Sequence, residues 1–179
     1  MTATVSKSYI FAARLIGTVF LFATLVLSIS GAHAAVHSKR GPNVMSGELN
    51  LDKVQRARRD GGVIRLTSSP GGTGAAAMEL ARARVVVDGP CNSACAWSFV
   101  ANERACFTRN ASFGFHAAHD PGTGRRMAAA TDHWMGQVRS SLRGKLSGLY
   151  SSSNLITLSA GQMAQYYGDR ACGSKVAAS

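Results

Sequence analysis

From residue 51 to residue 118, the apolar positions of the chain follow two patterns that alternate. Short runs of β-branched and other apolar residues predict strands at VIRLTSS (63–69), VVV (85–87), ACFTR (105–109) and ASFGFHAA (111–118). Strong helix formers, or apolar residues three to four positions apart, predict helices at LDKVQRARR (51–59), AAAMELARAR (75–84) and ACAWSFVAN (94–102).

The second half of the chain is mainly helical in pattern. After a loop, HDPGTGRR (119–126), an amphipathic segment runs from Met127 to Tyr150, and we predict it as one helix. Ser159 is suited to cap a last short helix. The resulting order, β-α-β-α-β-β-α-α, predicts an α/β layered domain with mainly parallel strands.

The N-terminus has the composition of a cleaved signal peptide (1–34). Lys7 and Arg14 precede an uncharged run, LIGTVFLFATLVLSI, and small residues at Ala32 and Ala34 follow it. A membrane anchor is the alternative, but such a span needs about 20 apolar residues, more than this run has. We therefore predict an exported protein, periplasmic or secreted.

The remaining 145 positions, 35–179, suffice for one domain. We predict a flexible leader over 35–46, one domain over 47–172 and a disordered tail over 173–179.

Four cysteines follow the predicted cleavage site: Cys91, Cys95, Cys106 and Cys172. An even number in an oxidising compartment indicates two disulfides, and four cysteines allow three pairings. We favour Cys91–Cys95, which is local, with Cys106–Cys172, which would tie the tail to the core. A zinc site from Cys91, Cys95, His116 and His119 is the alternative, but its spacings match no strong zinc pattern. We predict no metal and no cofactor.

The formal net charge of +11 is the other strong feature of the composition. Such a charge attracts anionic partners, namely nucleic acid, anionic lipid or polysaccharide. In an exported protein we expect an anionic component of the cell envelope and not nucleic acid. The basic residues are scattered, which favours a solvated basic surface.

Two loops at the carboxyl ends of predicted strands carry residues suited to catalysis. Paired glycines in SPGG (69–72) leave backbone N–H groups open to a ligand, and Ser93 follows VVV at the start of a helix. The N–H groups of Gly72 and Ala94 could hold an oxyanion. A serine nucleophile needs a base within hydrogen-bond reach, and His116 ends the apolar run FGFH.

The same segments carry a family resemblance. TSSPGGTGAAAMELARA, GPCNSACAWSFVANERACF, ASFGFHAA and LITLSAGQMAQYYGDR together resemble the proteolytic subunit of Clp protease, and most closely the exported Clp-protease-like proteins with a C-x-S-A-C motif. The resemblance covers roughly residues 63–169. It implies a layered βα superhelix of the ClpP/crotonase fold, reduced in size here. It also implies Ser93 as nucleophile, His116 as base, and Gly72 and Ala94 as oxyanion donors.

Two further expectations follow from the resemblance. Relatives assemble into rings or trimers, which implies a homo-oligomer with the 127–150 segment as a contact. The family's acidic third catalytic residue falls just before LITLS, where this chain has Asn154, which can orient a histidine without supplying charge.

The sequence leaves two functions open. The first is a serine hydrolase, a peptidase in the family's terms, acting on a peptide or acyl substrate. The second is a catalytically degenerate member of the fold that serves as a basic binding module of the cell envelope.

Overall fold

The computed structural model describes residues 41–150 and 154–173, so the predicted signal peptide, residues 35–40 of the leader and residues 174–179 lie outside the described part. Its larger sheet has four parallel strands in the order β1-β2-β3-β5. These strands are β1 (Asn43–Ser46), β2 (Ile64–Ser68), β3 (Val85–Val87) and β5 (Ala105–Phe107). Helices α1 (Leu51–Arg59) and α2 (Gly74–Leu80) connect successive strands of this sheet.

A second sheet continues from the ends of the first. It has the order β4-β6-β7, with β4 (Pro90–Asn92) parallel to β6 (Ser112–Phe115) and β7 (Ile156–Ser159) antiparallel to β6. The N–H of Ser69, just after β2, donates to the carbonyl of Pro90 at 2.7 Å, and the N–H of Asn92 returns a bond to Ser69 at 2.9 Å. These two hydrogen bonds hold the SPGG loop beside the loop that leads to Ser93.

The remaining helices are α3 (Ala94–Val100), α4 (Ala128–Gln137), α5 (Ser140–Leu146) and α6 (Ala160–Tyr167). Short 3-10 helices follow α5 at Ser147–Tyr150 and α6 at Gly168–Arg170. The predicted cap at Ser159 is confirmed, because its side chain accepts from the Gln162 N–H in a capping box. The α/β class with mainly parallel strands is confirmed and is consistent with a ClpP/crotonase-like fold.

Helix α3 forms the centre of the apolar core. All seven of its residues are buried. Phe99 packs at 4.6 Å from Phe113 and 5.8 Å from Phe107, measured between ring centroids. Because α3 begins directly after Ser93, the core fixes the element on which the predicted nucleophile depends.

Several element boundaries differ from the prediction, three of them with consequences for the fold. Residues 43–46 of the predicted leader form β1, since their backbone groups pair with β2. Helix α2 ends at Leu80, four residues early. The predicted helix from Met127 to Tyr150 is broken, because Val138 and Arg139 are extended, with ψ of 137° and 139°.

The apolar stripe of the 127–150 segment is part of the protomer's own core. Val138 is 1% exposed, and Leu142, Leu146 and Leu149 are fully buried. The buried residues of the stripe therefore pack within the protomer, and the expected homo-oligomer stays a prediction.

The predicted disulfides are both present, Cys91–Cys95 and Cys106–Cys172. The second joins β5 to the C-terminal segment, where the Cys172 N–H also donates to the Phe107 carbonyl at 2.8 Å. Within the described residues, no helix combines the length and apolar character needed to cross a bilayer.

Candidate active site

Ser93 occupies a strained turn between β4 and α3. Its φ is +52°, and it is the one non-glycine residue with positive φ in the described part of the chain. Such a conformation costs on the order of 1–3 kcal/mol and persists only where the surroundings enforce it. The Ser93 N–H donates to the Gly114 carbonyl at 2.7 Å, and the Ser93 carbonyl accepts from the Trp97 N–H at 3.0 Å. These two hydrogen bonds therefore hold Ser93 in its strained conformation.

The disulfide encloses this turn. Cys91 lies in β4, Cys95 lies in the first turn of α3, and both are fully buried. Their Cα atoms are 5.2 Å apart. The covalent link thus connects the element before Ser93 to the element after it.

The SPGG loop packs directly against Ser93. A methyl group on Gly71 would lie 2.6 Å from the Ser93 Cβ, and Gly71 has a φ of +121°. A methyl group on Gly72 would lie 2.0 Å from the Leu49 carbonyl oxygen. Only glycine allows this approach at either position.

Two backbone donors border the same cleft as Ser93. Gly72 and Ala94 both line it. The Gly71 N–H donates to Ser69 Oγ at 3.2 Å, whereas the Gly72 N–H donates to no other described residue. Ala94 is the first residue of α3, so its N–H has no acceptor within the helix. The loop and the helix start therefore bring two unused donors to one place.

His116 follows β6 and lines the cleft with Ser93. Its Nδ1 lies 2.6 Å from the Ala117 carbonyl oxygen, and its own carbonyl accepts from Trp97 Nε1 at 3.1 Å. A proton on Nδ1 that donates to Ala117 leaves Nε2 as the acceptor nitrogen. No hydrogen bond joins His116 to Ser93 among the described residues.

The cleft has a volume of about 130 Å³. Two indole rings, those of Trp97 and Trp134, form part of its wall. His119 also lines it, with its ring centroid 5.5 Å from that of His116. Among the described residues, no carboxylate lines this cleft.

The third catalytic member remains a prediction. Asn154 is exposed and precedes β7, and the neighbour of His116 Nδ1 is the Ala117 carbonyl. Asp169, the next acid along the chain, is engaged elsewhere: both its oxygens accept from Arg139, at 2.8 and 2.7 Å. These hydrogen bonds lower the pKa of Asp169.

The zinc alternative is wrong, because the sulfurs of Cys91 and Cys95 are bonded to each other. The described residues contain no cluster of three or more histidines, cysteines or acids able to hold a metal ion.

The loop before Ser93 is anchored at Asp88. Its carboxylate accepts from Thr108 Oγ1 at 2.5 Å and from Asn110 Nδ2 at 3.1 Å, and it pairs with Arg65 at 3.1 Å. The bonds from Thr108 and Asn110, with a smaller contribution from Arg65, lower the pKa of Asp88. Asp88 is therefore ionised at neutral pH and connects the ends of β3 and β5 to Arg65 of β2.

Two residues of the cleft were not found by sequence reasoning in this role. Trp134 lies in the amphipathic segment 127–150 and His119 belongs to the zinc alternative, so neither is predicted as a cleft residue, yet both line the cleft. The spacing of His116 and His119 was a usable signal for His119. Nothing local indicates that α4 brings Trp134 to the cleft.

No family model matches the chain, and no curated protein matches it. Among solved structures, a serine-to-alanine mutant of the 1510-N membrane-bound stomatin-specific protease is similar, with 13% identity and a TM-score of 0.45. The match covers 71% of this chain and 78% of that one.

Proposed function

We propose that this chain is an exported serine hydrolase, a peptidase or acyl hydrolase, with Ser93 as nucleophile. One observation carries the proposal: Ser93 is held at φ +52° beside two unused backbone N–H donors and a histidine, all lining one cleft. Strain of this kind at a non-glycine residue is typical of functional sites.

The proposed chemistry is acyl transfer in two halves. Ser93 Oγ attacks the acyl carbon while its proton passes to Nε2 of His116. The N–H groups of Gly72 and Ala94 hold the oxyanion, and losing one such donor typically lowers kcat about 10²- to 10³-fold. His116 then protonates the leaving group, whose bond to the acyl carbon breaks and leaves an ester on Ser93. Water then gives a proton to His116 and attacks the ester carbon. The bond to Ser93 Oγ breaks, Ser93 takes the proton back, and the acid is released.

The histidine lacks a carboxylate partner in the described part of the cleft. The Ala117 carbonyl supports the required tautomer of His116. We propose Asn154 as the third catalytic residue because it occupies the position that the family resemblance assigns to that residue. Neither group supplies a negative charge, so we expect slower turnover than in a site with an aspartate.

Export is part of the proposal. Two disulfides fit an oxidising compartment, where such bonds form and persist. They agree with the predicted signal peptide over 1–34 and with a periplasmic or secreted location.

The test is labelling with a fluorophosphonate, which reacts with activated serines. We expect the oxidised protein to be labelled at Ser93, and the label to disappear in Ser93→Ala and in His116→Ala. Ser140→Ala, at the exposed start of α5, is the matched control and should label like the parent. An unlabelled but folded and oxidised protein would refute the hydrolase.

A binding module is the second candidate, favoured by the net charge of +11 and by a cleft without a carboxylate among the described residues. It predicts retention on anionic lipid or polysaccharide that weakens as salt rises, because screening shortens the range of surface charges. Retention that is independent of salt would count against it.

A further inference from the structure

A wide apolar groove opens beside the catalytic cleft. It has a volume of about 590 Å³ and lies between α2 and α4. Ala75 and Met78 of α2 and Ala130, His133 and Trp134 of α4 line it, and the charged residues Glu79 and Arg82 border it on the α2 side. Met78 is 43% exposed there, although an apolar side chain of this size is usually buried.

The groove and the cleft are neighbours. Gly74 and Trp134 line both, so the indole of Trp134 stands between them. Trp134 is only 8% exposed, which means that the partition is packed. A substrate bound at Ser93 therefore lies next to the groove.

The two volumes differ in what they can hold. A cavity of about 150 Å³ just accommodates benzene. The cleft, at about 130 Å³, must also take the acyl carbon and its oxygen, which leaves space for a side chain the size of a methyl group. The groove, at about 590 Å³, has room for at least one large apolar side chain.

We propose that the substrate is a peptide with a small residue, such as alanine, at the reacting carbonyl and a bulky apolar residue next to it, which the groove binds. The choice of peptide rests on the proposed hydrolase function. The small residue enters the cleft beside Ser93, and the large side chain covers Met78 and Ala130. Burying a side chain of that size is worth roughly a tenfold gain in affinity or more.

The test measures binding separately from chemistry. The full chain carrying Ser93→Ala is titrated with the N-acetylated, C-amidated tripeptides Phe-Ala-Phe and Gly-Ala-Gly, with calorimetry and indole fluorescence as readouts. We expect Phe-Ala-Phe to bind at least about tenfold more tightly. Equal affinities, or no binding of Phe-Ala-Phe at millimolar concentration, would overturn the proposal.

Matched variants locate the binding. Ala130→Phe fills the groove and should abolish the preference for Phe-Ala-Phe, whereas Ala129→Phe, on an exposed neighbouring position of α4, should keep it. Met78→Gln should reduce the preference, with Met127→Gln as control, because Met127 is equally exposed at 44% but lies outside the groove. The same loss in both members of either pair would contradict the assignment.

The unmodified chain tests the small-residue requirement. Phe-Ala-Phe should be hydrolysed after alanine, whereas Phe-Phe-Phe should not be hydrolysed between its residues until Trp134→Ala merges the two volumes. Binding preference without fluorophosphonate labelling would leave the groove assigned and refute the hydrolase. Fluorophosphonate labelling without a binding preference would support the hydrolase and refute the assignment of the groove.

Discussion

Gly71 controls the position of Ser93 through direct contact. A side chain at residue 71 would meet the Ser93 Cβ at 2.6 Å, and the φ of +121° is itself strained for any residue but glycine. The loop would have to move away from the serine, carrying Gly72 and its N–H with it.

We expect Gly71→Ala to lower the rate of fluorophosphonate labelling by 100-fold or more, because both the serine and an oxyanion donor shift. Labelling kinetics, with circular dichroism as a check of folding, measure this. Gly144→Ala is the control, since a methyl group there meets nothing within 4 Å and lies inside α5. A labelling rate for Gly71→Ala that matches this control would contradict the role of Gly71.

Some residues of the site could be predicted from the sequence because their conformation is dictated locally. The paired glycines and the serine before a helix are short-range signals, and they identified Gly72, Ser93 and Ala94 as candidates. Trp134 could not be assigned in this way, because its place beside Ser93 depends on how α4 packs across α2 and α3. Asn154 was suggested by alignment with a motif, which gives no side-chain geometry.

The two disulfides connect different kinds of element. Cys91–Cys95 closes a loop of four positions around the serine, and Cys106–Cys172 closes one of 66 around most of the domain. In a chain-entropy account, a long loop contributes roughly 4 kcal/mol to stability and a short one roughly 2 kcal/mol.

Replacing each pair by alanine should therefore separate stability from reactivity. We expect Cys106→Ala with Cys172→Ala to lower the unfolding free energy more, and Cys91→Ala with Cys95→Ala to lower the labelling rate of Ser93 more. Thermal unfolding and fluorophosphonate kinetics on both variants measure this. Labelling that falls only in proportion to stability in both would show that the first disulfide does not hold the serine.

Arg170 closes the end of α3. It is 9% exposed, and its guanidinium donates to the carbonyls of Phe99 and Asn102 at 2.5 Å and of Ala105 at 3.1 Å. It also stacks on the Phe99 ring at 3.9 Å. Burial lowers the pKa of Arg170 to about 10, so it remains charged at neutral pH.

Arg170→Met should lower the unfolding free energy by about 3 kcal/mol, because three buried carbonyls lose a charged donor. Urea denaturation measures the loss. Arg104→Met, at an exposed position near the same helix end, should change it by less than about 0.5 kcal/mol. Equal effects of the two changes would show that the hydrogen bonds of Arg170 are not stabilising.

At the level of elements, the sequence predicts those whose composition is typical of their structure and misses those whose composition is not. Helices α1 and α3 and strands β2 and β3 were predicted because their composition and burial agree. Strand β4 (Pro-Cys-Asn) contains proline and asparagine, which are rare in strands, and the four residues of β7 directly precede a helix cap. The break at Val138 could not be predicted because the apolar residues on both sides of it pack into the same core, so their pattern continues across it.

Across the whole molecule, one ion pair links the break between α4 and α5 to the C-terminal segment. Arg139 holds Asp169 in a two-fold contact, and about half of each side chain is exposed. Hydrogen bonding to Arg139 lowers the pKa of Asp169, so the pair stabilises the fold above the pKa of an unfolded aspartate, about 3.9. That contribution is lost as pH falls through the lower folded value.

Asp169→Asn should thus reduce stability at pH 7 by less than about 1 kcal/mol, as expected for an exposed pair. The difference between variant and parent should shrink as the pH is lowered below 4. Urea denaturation at pH 7, 5 and 3 measures this. A difference that is constant over the range would mean that the aspartate acts through something other than its charge.

The class of the whole fold was predictable because strands and helices alternate along the chain, a pattern that favours parallel sheets. The split into two sheets was not, since it depends on the turn at Asp88–Gly89, where a methyl group on Gly89 would meet the Thr67 carbonyl at 1.9 Å. Only the folded chain reveals that close crossing.

The backbone around Leu49 has a practical consequence for anyone who shortens this protein. The Leu49 N–H donates to the Gly71 carbonyl at 2.7 Å, its own carbonyl lies against Gly72, and β1 just before it pairs with β2. An expression fragment that starts at α1 would thus contain Ser93, His116 and all four cysteines. It would lack β1 and Leu49, which pack against the Gly71–Gly72 loop. Truncations and N-terminal fusions should leave everything from residue 43 onward intact.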